Sequence, residues 1–218
     1  MACALGIIGQ MLTQYHIEIT LHALAEYFSP RALSAITYAN IHQDRLGGQF
    51  GHDEYHFDNN AFERTYAYIE DQRTLTVSAL RKKEAPAAWS AFGRMLHSFQ
   101  DFYAHSNYVT LWLARFDGQA LPASSKIDPV DLTLIHSPDL RSGKTYYPFE
   151  LLYFWRPARA FALSWLPHDS HAWMNLDSPE QGFKFEYAMQ AATKRTVIEY
   201  GKTTSGFSQE MCNLFLDK

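Results

Sequence analysis

The chain has 218 residues, 47% of them hydrophobic and 19% charged, a balance that fits one folded domain with a sizeable core and gives no hint of disorder. Its formal net charge is −4 with Lys and Arg scattered, so no basic stripe exists to track a phosphate backbone, and nucleic acid is disfavoured as a partner. Cys3 and Cys212 stand at opposite ends and neither build a disulfide framework nor match a zinc ribbon.

The opening stretch to Leu12 is apolar but lacks a positive n-region, and His16 and Glu18 follow at once. It reads as the lead-in to a helix, not a signal peptide. No uncharged apolar run of about eighteen residues exists to span a membrane, so a cytoplasmic location is the expectation. The periodicity predicts a helix over 8–28, with Leu12, Tyr15, His16, Ile19 and Ala23 on its inward face and His22 towards solvent. A second helix opens at Ser29-Pro30, a hydroxyl cap with proline in the first turn, and carries the stripe Leu33, Ile36, Thr37, Asn40 and Asp44. Gly47 to Gly51 breaks the pattern and leads into His52 to Asp58, a loop dense in possible ligands. A third helix over 59–83 has Phe62, Tyr66, Ile69, Thr76 and Leu80 on one face, with Asp58 placed to be its N-cap.

Pro86 starts the central helix, expected to run to about Phe116. Its Gly93 would let a neighbouring backbone approach closely. His97, Asp101 and His105 recur every four residues and stack along one stripe, spanning about 12 Å of axis. Between Met95 and Ala114 the only formal charge is Asp101, and apolar side chains cover most of the remaining circumference. Such a helix is buried. A buried carboxylate flanked by two imidazoles is costly unless neutralised and bonded; a divalent cation does both, and the alternative is that the three side chains hydrogen-bond one another inside the core.

Residues 119–148 lack a sustained period and read as a long loop or lid beside the site, and His136 within it reads as solvated. Residues 149–166 are aromatic, with a helix broken at Arg156-Pro157. A second ligand-dense loop spans 167–179, a last long helix spans 183–202, and a short amphipathic tail closes the chain. No repeat and no strand alternation is present, so the expected fold is all-α, a single multi-helix domain over 1–218 built around the central buried helix.

Taken together, His16, Asp44, His56, the His97-Asp101-His105 ladder and His171 resemble the HET-C-like proteins. These belong to the superfamily of zinc-dependent phospholipase C and single-strand nucleases. The stretch Phe92 to Tyr108 is similar to the HET-C signature nearly residue for residue, and Tyr15 to Thr20, Ala39 to Asp44, His56 to Asp58 and His171 to Pro179 follow in order. The resemblance implies two or three zinc ions. Asp44, His56, His97 and Asp101 would hold one, His16 and the bridging Asp101 a second, and His105 and His171 a third. The sequence departs from the phospholipase pattern at Asn175, where a Glu is expected, and Asp169 and Asp177 are the nearest carboxylates. The last ligand is thereby left open between Asn175, Asp177 and none, and His52 and Asp53 stand as possible substitutes.

On that resemblance the expected function is a zinc-dependent phosphoric ester hydrolase, a phospholipase C-like phosphodiesterase, with Asp101 and Asp58 in catalytic roles. Phe57, Tyr103, Tyr108, Trp112 and Trp155 either line an apolar approach or belong to the core. The expected partner is a small-molecule or phospholipid substrate, with peripheral membrane contact. The rival readings are a single-strand nuclease, unrelated metal-assisted chemistry on a small molecule, and a non-catalytic metal-stabilised binding protein.

Overall fold

In the computed structural model, which describes residues 12–49 and 51–218, the chain is helical, with α1 (Leu12–Leu24), α2 (Pro30–Ile41), α3 (Leu46–Gln49), α4 (Asp53–His56) and α5 (Phe62–Arg81) forming the first half. The second half comprises α6 (Ala85–His105), α7 (Tyr108–Ala114), α8 (Leu132–Ile135), α9 (Phe149–Phe154), α10 (Arg159–Trp165), α11 (His171–Met174), α12 (Lys184–Thr204) and α13 (Gln209–Leu216). Among the described residues the only β pairings are two isolated bridges, Ser106 with Ser142 and Lys144 with Ser170. The all-α expectation is met.

The element at the centre is α6. Of its residues from Gly93 to His105, all but Arg94 are buried, and it packs against α2, α5 and α12, with α1 seated on α2 and α12. Trp89, Phe92, Met95, Leu96, Phe99, Phe102 and Tyr103 all join the main core. Each such side chain contributes about 1.5–3 kcal/mol on burial, and that apolar grip offsets the cost of sinking His97, Gln100, Asp101 and His105 beside them. Gly93 sets the α2 to α6 spacing. A Cβ there would lie 2.3 Å from the Ile36 carbonyl oxygen and 2.9 Å from Ala39 Cβ.

Local chemistry decides the boundaries. The Ser29 hydroxyl accepts from the Ala32 amide, with Pro30 in the first turn, and α2 begins there as expected. The central helix is shorter than its pattern. Ser106 turns extended (φ −107°, ψ 166°) and its hydroxyl donates back to the Phe102 carbonyl, while Asn107 bonds the Arg141 amide and the Asp139 carbonyl. These bonds end α6 at His105, and α7 starts afresh. Asp58 does not cap α5, whose N-cap is Ala61; it is buried and faces inward.

Residues 119–148 run over α7, α6 and α12, held where Tyr103 and Tyr108 donate to the Pro129 and Asp128 carbonyls and Tyr187 donates to that of Pro122. Their last turn threads between the 58–60 turn and α11. There the Asn59 amide donates to the Gly143 carbonyl at 2.8 Å and the His171 amide to the Lys144 carbonyl at 2.8 Å. A Cβ on Gly143 would sit 2.6 Å from His171 Cα, so that crossing admits only glycine. A smaller core of Tyr153, Ala162, Leu166 and Ala172 joins α9, α10 and α11.

Candidate metal centre

Five separate stretches converge on the ladder face of α6. From α1 comes His16; from the 3-10 turn His42–Asp44 comes Asp44. His56 ends α4, Asp58 opens the next turn, and His171 opens α11 with Asp177 six residues on. Between His56 and Asp58, Phe57 is fully buried at φ 57°, with Asn59 and Asn60 also at positive φ. This is a costly conformation for a bulky residue. It lets His56 face Asp101 while Asp58, two residues on, faces His171.

The first group gathers around Asp101. Its Oδ1 lies 3.2 Å from His16 Nε2, and its Oδ2 lies 2.8 Å from His56 Nδ1 and 3.0 Å from His97 Nε2. Asp44 stands opposite, 3.5 Å from His97 Nε2 and 3.8 Å from His16 Nε2. The two ring nitrogens that share Asp101 Oδ2, His56 Nδ1 and His97 Nε2, approach each other to 3.0 Å. The second group gathers around Asp177, 3.3 Å from His105 Nε2 and 3.6 Å from His171 Nε2. Asp101 Oδ1 is 4.0 Å from His105 Nε2 and so joins the two groups.

Each imidazole has one nitrogen tied off. His16 Nδ1 donates to Gln100 Oε1 at 2.7 Å, His97 Nδ1 to Asn40 Oδ1 at 3.3 Å, His105 Nδ1 to the His56 carbonyl at 3.0 Å and His171 Nδ1 to Asp58 Oδ1 at 3.0 Å. His56 is turned the other way, its Nε2 on the Gly48 carbonyl at 3.2 Å. The remaining nitrogens all face Asp44, Asp101 or Asp177. This is the arrangement in which outer partners orient ligand rings, and it places Asp58 as an orienting group for the second set. Asp44 Oδ2 and Asp177 Oδ1 are buried and receive no hydrogen bond, although nitrogen atoms lie close by. A convergent set of imidazole nitrogens and carboxylate oxygens, two of the oxygens orphaned, fits a borderline cation such as zinc.

The electrostatics express the same crowding. Burial draws the His16 imidazole down, but the hydrogen bond and charge of Asp101, with Asp44, lift it to about 9. Against the same burial, Asp58 and Asp177 lift His171 to about 10, and Asp101, Asp177 and Asp58 hold His105 well above its ordinary value. His97 goes down, burial outweighing Asp101 and Asp44. Burial pushes the Asp58, Asp101 and Asp177 carboxyls up, but the imidazoles facing them outweigh it and hold all three low. The interior thus carries ionised carboxylates that need counter-charge, from protons or from cations.

Other sequence candidates lie elsewhere. His52 stacks on Tyr55 and bonds Glu54, and Asp53 pairs with Arg64. Asn175 caps α11, bonding the His171 and Ala172 carbonyls, and Asp169 pairs with Lys144. His22 and His136 are exposed. Phe57, Tyr103, Tyr108 and Trp112 are core, and Trp155 lies out in solvent, so these residues line no approach to the cluster. Asp177 was one of the choices that the sequence left open for the last ligand, and it is the one that meets the rings; the orienting roles of Asn40 and Gln100 are what sequence reasoning passed over. Asn40 did stand on the inward stripe of α2, and Gln100 precedes Asp101 on a helix almost free of charge.

The class so defined is a helical domain with a histidine and carboxylate cluster spread over most of its length. Within it, the chain belongs to the VWA7 N-terminal domain family, whose model matches residues 14–131. It is similar to von Willebrand factor A domain-containing protein 7 of Rattus norvegicus, 35% identical over 80 residues, covering 37% of this chain and 9% of that protein. The Homo sapiens and Mus musculus proteins of the same name are 34% and 33% identical over 94 and 95 residues, each covering 40% of this chain. The chain spans about a tenth of the length of these curated relatives. No solved structure matches.

The family found corrects the HET-C-like resemblance, and the readings built on it fall with it: the zinc-dependent phosphoric ester hydrolase, the phospholipase C-like phosphodiesterase and the nuclease of the same superfamily. The physical reason is that a four-residue ligand spacing is dictated by helix geometry wherever a buried helix carries polar groups in register. It identifies a chemistry of side chains, not a lineage or a reaction. Among the described residues, no helix is long and apolar enough to cross a membrane.

Proposed function

We propose that this domain holds two divalent cations of the zinc type. His16, Asp44, His56, His97 and Asp101 would form one site; His105, His171 and Asp177 would form the other, with Asp101 between them and Asp58 fixing the second pair of rings. The observation that carries this reading is the consistent polarity of the five imidazoles, each with one nitrogen tied to a protein acceptor and the other turned to the carboxylates. A dication at each site would neutralise the buried carboxylates and close the two orphaned oxygens. The family match takes in the whole first set but ends before His171 and Asp177.

Elemental mass spectrometry on untagged protein tests this. Two zinc equivalents per chain are expected, with about one or fewer in Asp101→Ala and no change in His22→Ala. Folded protein that stays metal-free after dialysis against zinc would mean that the cluster is a proton-shared polar core.

A further inference from the structure

We infer that Gln100 and Asn40 are positioning residues that decide which nitrogen His16 and His97 present to the first site; this rests on the metal-centre reading. The polarity of their amides is imposed from outside the cluster, and each step can be followed. The Thr196 hydroxyl donates to the Ala192 carbonyl at 2.9 Å. Towards Gln100 it can therefore only accept, and the group it meets at 3.3 Å is Gln100 Nε2. Thr20 Oγ1 accepts from the same NH2 at 3.2 Å. With its NH2 committed to α1 and α12, Gln100 turns Oε1 to the other side, where it accepts from His16 Nδ1 at 2.7 Å and from Asn40 Nδ2 at 3.1 Å.

Asn40 is thereby fixed as well. Its NH2 is taken by Gln100 Oε1 and Thr20, so Oδ1 is the atom that faces His97 Nδ1. Both imidazoles must carry hydrogen on Nδ1, and both are left with Nε2 free on the side of Asp44 and Asp101. Thr20, Asn40 and Thr196 are completely buried and Gln100 is 2% exposed. Bulk solvent does not reach these groups, and an inverted amide would set donor against donor in the interior. One hydroxyl on α12 thus selects the tautomer of two rings on α1 and α6 through two amides. The second site has no share in this relay, its rings being oriented by Asp58 and by the His56 carbonyl.

The test is zinc affinity by chelator competition, together with carbon and nitrogen NMR of the histidine rings in zinc-loaded protein. In the wild type, His16 and His97 should show coordination through Nε2. Gln100→Met should weaken the first site about tenfold to a hundredfold, the usual effect of losing an outer partner. It should also lose the single coordination mode of His16 and leave the second site's affinity unchanged. Gln100→Glu, which keeps the acceptor, should restore both readouts. Thr196→Val, which removes only the anchoring hydroxyl, should weaken the same site selectively if Gln100→Met does not fold. A merely structural role would lower both affinities together and leave the coordination mode of His16 intact. Wild-type protein without zinc overturns the metal centre and this inference with it. Wild-type protein with two zinc ions, beside a Gln100→Met or Thr196→Val variant of unchanged affinity and coordination mode, overturns the inference alone.

Discussion

Asp101 is the residue on which the most depends, because its two oxygens meet three imidazoles at 3.2 Å or less. Asp101→Ala removes the counter-charge of His16 and His56 and leaves their rings buried; a loss of about 3–5 kcal/mol is expected for breaking a buried charged pairing, read by urea denaturation in the presence of a chelator. Gly93→Ala probes a different cost. The added methyl meets backbone at 2.3 Å, so α2 must move off α6, at about 1–3 kcal/mol or more, and Asn40 moves with it. The expected signature is a drop in the urea midpoint together with weaker zinc binding. An unchanged midpoint would mean that the two helices are less closely packed than described. The value of Gly93 was readable from sequence, since a glycine in the interior of a buried helix weakens it and close approach of a neighbouring backbone is the usual reason for one. The choice between Asn175 and Asp177 was not, because both follow His171 in an irregular stretch, and only the turn of α11 aims one at its own helix carbonyls and the other at the rings.

Among the helices, those with a clean apolar stripe were legible and those ended by side-chain bonds were not. α2 and α5 appear close to where their patterns put them, and the cap at Ser29 was visible because its chemistry is local. The end of α6 was hidden, because Ser106 and Asn107 take partners from residues 139–142, which no window on the sequence can bring together. The long stretch 119–148 carries no period because it is tied down by single tyrosine and asparagine bonds and by the isolated core residues Ile127, Leu134 and Leu140, which are not spaced as one helical or strand face. On α12 the buried Glu199 meets Arg195 at 2.7 Å and Arg73 at 2.6 Å. Burial raises its carboxyl, but Arg195, Arg73 and Lys202 outweigh that and depress it. A depressed carboxyl adds stability above its unfolded value of about 4.3, and that stability is lost as pH falls through the lower folded value. Glu199→Gln should therefore be less stable at neutral pH and should flatten the acid limb of the stability profile, measured by urea denaturation from about pH 6 down to about pH 3.

Taken as one object, the domain is stapled through its centre, since the proposed ligands come from α1, α4, α6, α11 and the turns between them. Chelation should then lower the melting temperature of the entire domain in one transition. At zinc a thousandfold above the dissociation constant, linkage gives about 4 kcal/mol for each site occupied, or roughly 8–16 °C per site for a chain of this size. Acid should act in the same direction, because the lifted His16, His105 and His171 bind protons in competition with cations. Zinc retention after gel filtration is expected to fall steadily from about pH 7.5 to about pH 5.5. Retention at the lower pH equal to that at the higher would mean that the ions are held away from these imidazoles.

The crossing of Gly143 against His171 has a consequence for how the centre comes into being. Residues 143–145 lie between the 58–60 turn and α11, bonded to both, so the second set of rings is closed off by a strap that arrives after the ladder has been made and before His171 has. The residues of the first set all precede the strap in the chain, but Thr196, which anchors Gln100, follows it on α12, and so does Asp177 of the second set, so neither set is complete without the C-terminal part of the chain. The strap and α12 thus finish the two sets from separate directions, the strap through Asn59 and His171 and α12 through Gln100.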